Sequence, residues 1–148
     1  MPAHRTKRLI VFDLDKTLTL SKQPVDDEMA ALLRRLLETK KVAVISGGSF
    51  KQFQIQFVPK LTSGRLERLF LFPTCGSACY RHGTGVWESV YLEKLTAAEK
   101  KRIYDAFERM FSKAGFRKPE TIYGELIEDR ETQITFGAHG STAPLAIK

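Results

Sequence analysis

The chain has 148 residues, of which 43% are hydrophobic and 28% charged, and it carries a formal net charge of +7 with a pI near 9.5. That size and mixture exclude a disordered chain and suit one folded domain, or one and a piece. No apolar run approaches the roughly 20 residues needed to cross a bilayer, and the basic start, Met1 to Arg8, precedes too short an apolar run for a signal peptide. The expectation is therefore a cytoplasmic protein without a membrane partner.

Leu9 to Phe12 is a continuous apolar run with β-branched and aromatic character, which predicts a strand buried on both faces of a parallel sheet. It ends in Asp13-Leu14-Asp15. A turn-like stretch follows to Pro24, and Asp26, Asp27 and Glu28 then place negative charge where a helix N-terminus favours it. Met29, Leu32, Leu33, Leu36 and Leu37 recur at helical spacing, so one face of this helix is expected to pack on the sheet. Val42 to Ser46 predicts a second buried strand, and a strand, helix and strand in so short a stretch make a parallel βαβ crossover.

After Gly47 and Gly48, Ser49 and Gln52 have the spacing of a capping box, and Phe50, Phe53 and Phe57 mark one helical face before Pro59. Leu69 to Phe72 predicts a third buried strand, closed by Pro73. Cys75 and Cys79 read as small buried residues rather than a disulfide framework. With His82 they form a C-x3-C-x2-H triplet that lacks the fourth ligand zinc would want. Ala78 to His82 and Val86 to Leu92 flank Gly83-Thr84-Gly85 as a hairpin.

Thr96 and Glu99 open a further helix whose Ile103, Phe107, Met110, Phe111 and Ala114 share a face until Gly115. Thr121 to Ile127 and Thr132 to Phe136 read as two more strands around the charged turn Glu128 to Glu131. The rhythm changes from α/β to α+β near residue 85. The expected organisation is an α/β, Rossmann-like parallel-sheet core over 1–85 and an inserted α+β cap segment over 86–148.

Asp13 and Asp15 stand two apart at the C-terminal end of the first strand, where open α/β sheets bind ligands. Two such carboxylates can share phosphoryl transfer: one attacks phosphorus and holds a divalent cation, and the other handles the proton. Each is a hard oxygen donor of the kind Mg²⁺ takes in ones and twos. A carboxylate pair after a strand can equally cap a turn. Ser46, Gly47 and Gly48 offer backbone N–H groups and a hydroxyl at a helix start, which suits a phosphate oxygen, although a plain β-to-α turn also needs glycine.

The segment Phe12-Asp13-Leu14-Asp15-Lys16-Thr17-Leu18-Thr19 resembles the first signature motif of the haloacid-dehalogenase superfamily, D-x-D-x-T, and Val44-Ile45-Ser46-Gly47-Gly48 resembles its second. The order of elements, with Phe72-Pro73-Thr74-Cys75-Gly76 before an α+β segment, resembles subfamily IIB. That branch has a type-two cap and holds sugar phosphatases and eukaryotic-type phosphomannomutases. The resemblance implies Asp13 as nucleophile, Asp15 as general acid/base and backbone metal ligand, Thr17 as a loop-shaping residue, Ser46 as a phosphate-binding hydroxyl and Mg²⁺ as cofactor. It implies a phosphatase acting on a small phosphorylated metabolite such as a sugar phosphate, through an aspartyl-phosphate. A phosphomannomutase-like phosphotransferase and, in another class, a non-catalytic anion-binding module are the alternatives.

Lys16 departs from the glycine most relatives have, so the loop either avoids positive φ there or is strained. The superfamily also needs a lysine from a third motif and aspartates from a fourth, yet no Asp follows Asp129 and the last acidic residue is Glu131. The expectation is a truncated product that lacks the second half of its core and part of its cap, is inactive or nearly so in turnover by itself, and self-associates through an open sheet edge or its cap. The 24 Lys and Arg residues are dispersed along the chain, which reads as a solvated basic surface that attracts anionic metabolites rather than a nucleic-acid face.

Overall fold

The computed structural model describes residues 7–144 and 146–147. These fall into two compact units, one ending at Leu92 and the other beginning at Glu93. Among the described residues no helix is long and apolar enough to cross a membrane.

The first unit is built on a five-stranded sheet in the order β1-β2-β3-β4-β5: Leu9–Asp13, Lys41–Ile45, Leu69–Phe72, Ala78–His82 and Trp87–Leu92. The first three strands run parallel, with Asp13 opposite Ile45 and Ile45 opposite Phe72. The glycine hairpin joins the same sheet antiparallel, pairing Phe70 with Arg81 and Leu71 with Tyr80, so the sheet is mixed rather than purely parallel. This pairing explains why the first unit runs past residue 85: β5 is tied to β4 from His82–Trp87 to Ala78–Leu92.

Helix α1, Asp27–Leu37, starts where Asp26 accepts the Met29 N–H at 2.8 Å, and Arg68 donates to the Glu38 carbonyl at 2.8 Å just beyond its end. Its buried stripe is Ala30, Leu33 and Leu37, while Leu32 of the expected face stays 49% exposed. The apolar face is wider than the strip that meets the sheet. Burying Leu33 and Leu37 contributes about 1.5–3 kcal/mol each. Helix α2, Phe50–Gln56, is capped by Ser49, which accepts the Gln52 N–H at 3.3 Å. Phe53 and Phe57 are fully buried and meet edge to face at 6.2 Å.

One expectation for the sheet is corrected. Leu9 is 50% and Val11 53% exposed, while Ile10 and Phe12 on the other face are half-buried, so β1 is not buried on both faces. The reason is its place at the edge of the sheet: among the described residues nothing pairs beyond it or covers the face that carries Leu9 and Val11.

The second unit pairs helix α3, Ala97–Ala114, with a two-stranded sheet of β6, Ile127–Asp129, and β7, Ile134–Phe136. The Thr96–Glu99 capping box is formed in both directions, and Gly115 ends the helix in the left-handed conformation. Phe107, Phe111, Phe116 and Phe136 cluster with ring centroids 4.9–6.0 Å apart. Met110, expected on this face, is 42% exposed. The strand predicted from Thr121 shrinks to three residues, because Gly124 takes φ +76 and residues 123–126 bond instead to the 137–142 loop.

Four carboxylates are held below their ordinary values in the folded chain. The Lys60 ammonium, by hydrogen bond and charge, does so for Asp27; for Glu67 it is the residue's own backbone N–H and the Arg65 guanidinium, for Glu99 the Thr96 N–H and hydroxyl, and for Asp129 the Lys100 ammonium. A depressed folded pKa contributes stability above the unfolded value and loses it as pH falls through the folded one. The melting temperature is therefore expected to be flat from neutrality down to about pH 5 and to fall below about pH 4, with the loss blunted by salt. A melting temperature unchanged at pH 3 would contradict this.

Candidate active site

Because Asp13 pairs with Ile45 in parallel register, the chain leaves β1 and β2 at the same end of the sheet. Asp13 and Ser46 thus emerge on neighbouring strands. Leu14 and Leu18 are buried and anchor the loop after β1, and the Leu14 carbonyl gathers the N–H groups of Thr17, Leu18 and Thr19 at 3.0–3.3 Å. The backbone therefore turns sharply just after Leu14, over Asp15 to Leu18. Asp13 is exposed, and its Oδ2 accepts the Thr17 hydroxyl at 3.1 Å.

Asp15 is held more firmly. Its Oδ1 accepts the Lys22 N–H at 2.8 Å and the side-chain amide of Gln56 at 3.1 Å. Gln56 is only 3% exposed, and its Oε1 accepts from Gln52 at 3.3 Å. One oxygen of Asp15 thus accepts from two N–H donors at once. Sequence reasoning passed over Gln56. The available signal was a glutamine set among Phe53 and Phe57 on the buried face of α2, where a polar side chain needs a partner.

Lys16 adopts φ +64, so the loop takes the left-handed conformation and bears its cost, about 1–2 kcal/mol for a residue with a Cβ. Lys16→Gly is expected to raise stability by up to about 1 kcal/mol, because glycine relieves the clash at some entropic cost. Lys16→Ala is expected to give no such gain, and urea unfolding of the two variants measures the difference.

Ser46 is buried, and its hydroxyl oxygen accepts the Gly48 N–H at 3.1 Å, leaving the O–H to donate. The segment after β3 is stitched to this loop: Thr74 N–H donates to the Gly48 carbonyl and Cys75 N–H to the Ser46 carbonyl, both at 2.9 Å. To do so Thr74, Cys75 and Gly76 take φ +50, +58 and +87 in succession. A β-branched residue in that region is a backbone outlier of the kind that gathers at functional sites. At Gly48 an added Cβ would stand 2.7 Å from Gln52 Oε1, so glycine here leaves room for the Gln52–Gln56–Asp15 chain.

The same turn corrects the expectation for Cys75, which is exposed; only Cys79 is buried, and burial pushes its thiol pKa up. The described residues contain no group of three or more His, Cys, Asp or Glu side chains that could hold a metal. The exposed Asp13 carboxylate is nonetheless a hard oxygen donor of the kind Mg²⁺ takes in ones and twos, completing its shell with phosphate and water.

No family model matches the chain. Phosphomannomutase 1 from Homo sapiens is 31% identical to it over 85 residues, which are 55% of this chain and 31% of the relative. The chain thus matches less than a third of that relative's length. Among solved structures, a haloacid dehalogenase-like hydrolase from B. subtilis superposes with a TM-score of 0.55 at 25% identity, covering 72% of this chain and 34% of that one. The IMP-nucleotidase of Plasmodium falciparum superposes with a TM-score of 0.61 at 16% identity, covering 86% of this chain and 34% of that one. At that identity the nucleotidase shares the fold alone.

Proposed function

From the premise that the chain belongs to the haloacid-dehalogenase-like hydrolase superfamily and is distantly similar to phosphomannomutase 1, we propose that it is the phosphoryl-accepting part of a Mg²⁺-dependent phosphatase for small phosphorylated metabolites. The observation that supports this best is the differing treatment of the two carboxylates. Asp13 is exposed with one oxygen free of partners among the described residues, as a nucleophile requires, while Asp15 is pinned through one oxygen by Lys22 and Gln56.

In this reading the Asp13 carboxylate attacks phosphorus, the bond from phosphorus to the ester oxygen breaks, and Asp15 Oδ2 gives its proton to the departing alkoxide. Water then attacks the aspartyl-phosphate and passes a proton to Asp15, which restores both carboxyl groups and releases phosphate. The Ser46 O–H, held in place by the Gly48 N–H, donates to a phosphoryl oxygen, and Thr17 orients Asp13. Mg²⁺, held by the Asp13 carboxylate and the Asp15 carbonyl, would neutralise phosphate charge when bound. Residues from Glu93 onward would serve as the beginning of a cap.

The similarity to phosphomannomutase 1 supports a second reading, in which a sugar hydroxyl rather than water receives the phosphoryl group. Both readings share the aspartyl-phosphate, so the decisive experiment looks for it. The chain is incubated with Mg²⁺ and radiolabelled acetyl phosphate, hexose phosphate or nucleoside monophosphate, then denatured and treated with hydroxylamine. A Mg²⁺-dependent, hydroxylamine-labile phosphate on the peptide carrying Asp13 is expected. Absence of the label, or a label on another residue, would overturn the proposal. A labelled protein that loses phosphate faster when sugar is added favours the mutase.

A further inference from the structure

Gln56 holds the 15–25 loop at both of its ends. Its backbone carbonyl accepts the Val25 N–H at 3.0 Å, and its side-chain amide donates to Asp15 Oδ1 at 3.1 Å. The direction of that amide is fixed by chemistry: a carboxylate oxygen only accepts, so the Gln56 NH2 faces Asp15 and Oε1 faces away. Gln56 Oε1 accepts from Gln52 Nε2 at 3.3 Å, one helical turn back, which sets the Gln52 amide in turn. Gln52 Oε1 is left beside the Ser46 loop, 2.7 Å from where a Cβ on Gly48 would stand. Two amides on α2 thus form a directed chain from that loop to Asp15. Packing does not call for it, since the buried face of α2 otherwise carries Phe53 and Phe57, and a polar side chain only 3% exposed is costly unless its partners need it.

We propose that Gln52 and Gln56 act together as positioning residues for the leaving-group step: Gln52 fixes the Gln56 amide, and Gln56 fixes the direction of the Asp15 carboxyl. This rests on the phosphatase reading above and deepens it. Neither glutamine touches the reacting atoms, so attack by Asp13 is independent of them. Proton delivery is not, because Asp15 is only half-buried and without Gln56 its side chain would keep the Lys22 N–H as its one printed anchor and turn toward water. The two amides therefore matter for esters that leave as poor alkoxides and not for donors that leave without a proton.

Labelling of Asp13 from two donors tests this. Gln56→Met keeps the length and bulk of the side chain without the amide. It is expected to leave labelling from acetyl phosphate within about twofold of the parent and to slow labelling from hexose phosphate about tenfold. Gln52→Met is expected to show a weaker split of the same kind, and the double variant no more than Gln56→Met alone, because both act through one chain. Gln54→Met, exposed on the same helix, is expected to change neither donor. Equal losses with both donors, or losses that add in the double variant, would make the amides merely structural and overturn the proposal. A parent chain labelled by neither donor would defeat the phosphatase reading instead. The amide chain is then judged by the Gln56 side-chain signal in ¹H–¹⁵N spectra, which is expected to move in both Asp15→Asn and Gln52→Met; a signal unmoved by either substitution overturns it.

Discussion

Asp13→Asn is expected to slow formation of the hydroxylamine-labile phosphoprotein by at least about a thousandfold, the scale on which loss of a covalent nucleophile acts. An amide oxygen of the same shape keeps the Thr17 contact available but carries no charge with which to attack phosphorus. Asp15→Asn is expected to behave differently, and the contrast separates the two proposed roles. Acetyl phosphate has a good leaving group that needs no proton, so the variant is expected to accept phosphate from it at close to the parent rate. Alkyl phosphate esters leave as poor alkoxides, and from these the transfer is expected to drop about a hundredfold or more. Equal losses with both donors would remove the acid role from Asp15. Labelling that survives in Asp13→Asn would remove the nucleophile.

Phe53→Ala is expected to cost about 3–5 kcal/mol, the largest stability effect among substitutions on α2. Phe53 is fully buried, meets Phe57 edge to face, and belongs to the apolar cluster formed with Leu33, Val44 and Leu71. Removal of the ring leaves a cavity that neighbours from both α1 and the sheet can close only in part. Ile55→Ala on the same helix is the matched control, since Ile55 is 65% exposed and its loss is expected to stay within about 0.5 kcal/mol. Urea unfolding of the two variants measures the contrast. Similar costs for both would mean that α2 does not pack as described.

Asp15 also depends on this helix, which links the stability of α2 to the site. The Gln56 amide that pins Asp15 is one turn from Gln52 and beside Phe57, so a shift of α2 moves a carboxylate with it. The Ser46 loop is fastened at its other side by the strained Thr74–Gly76 turn. Two supports from distant parts of the chain therefore position the two halves of the candidate site.

Short-range patterns in the sequence determined the element types and the location of the carboxylates. Apolar runs marked β1 to β3, Asp26, Ser49 and Thr96 marked helix starts, and glycines marked the β4–β5 turn, because caps, turns and periodicity act over a few residues. The D-x-D motif and the Ser46-Gly47-Gly48 turn were legible for the same reason. Only the tertiary structure decided that, among the described residues, β1 pairs with β2 alone and leaves Leu9 and Val11 exposed, since its pattern matches that of a strand covered on both faces. Only the tertiary structure, too, could join Gln56 to Asp15 across 41 residues and press Thr74 and Cys75 onto the Ser46 loop. Such contacts depend on where the sheet brings separate segments together, and no local pattern records that.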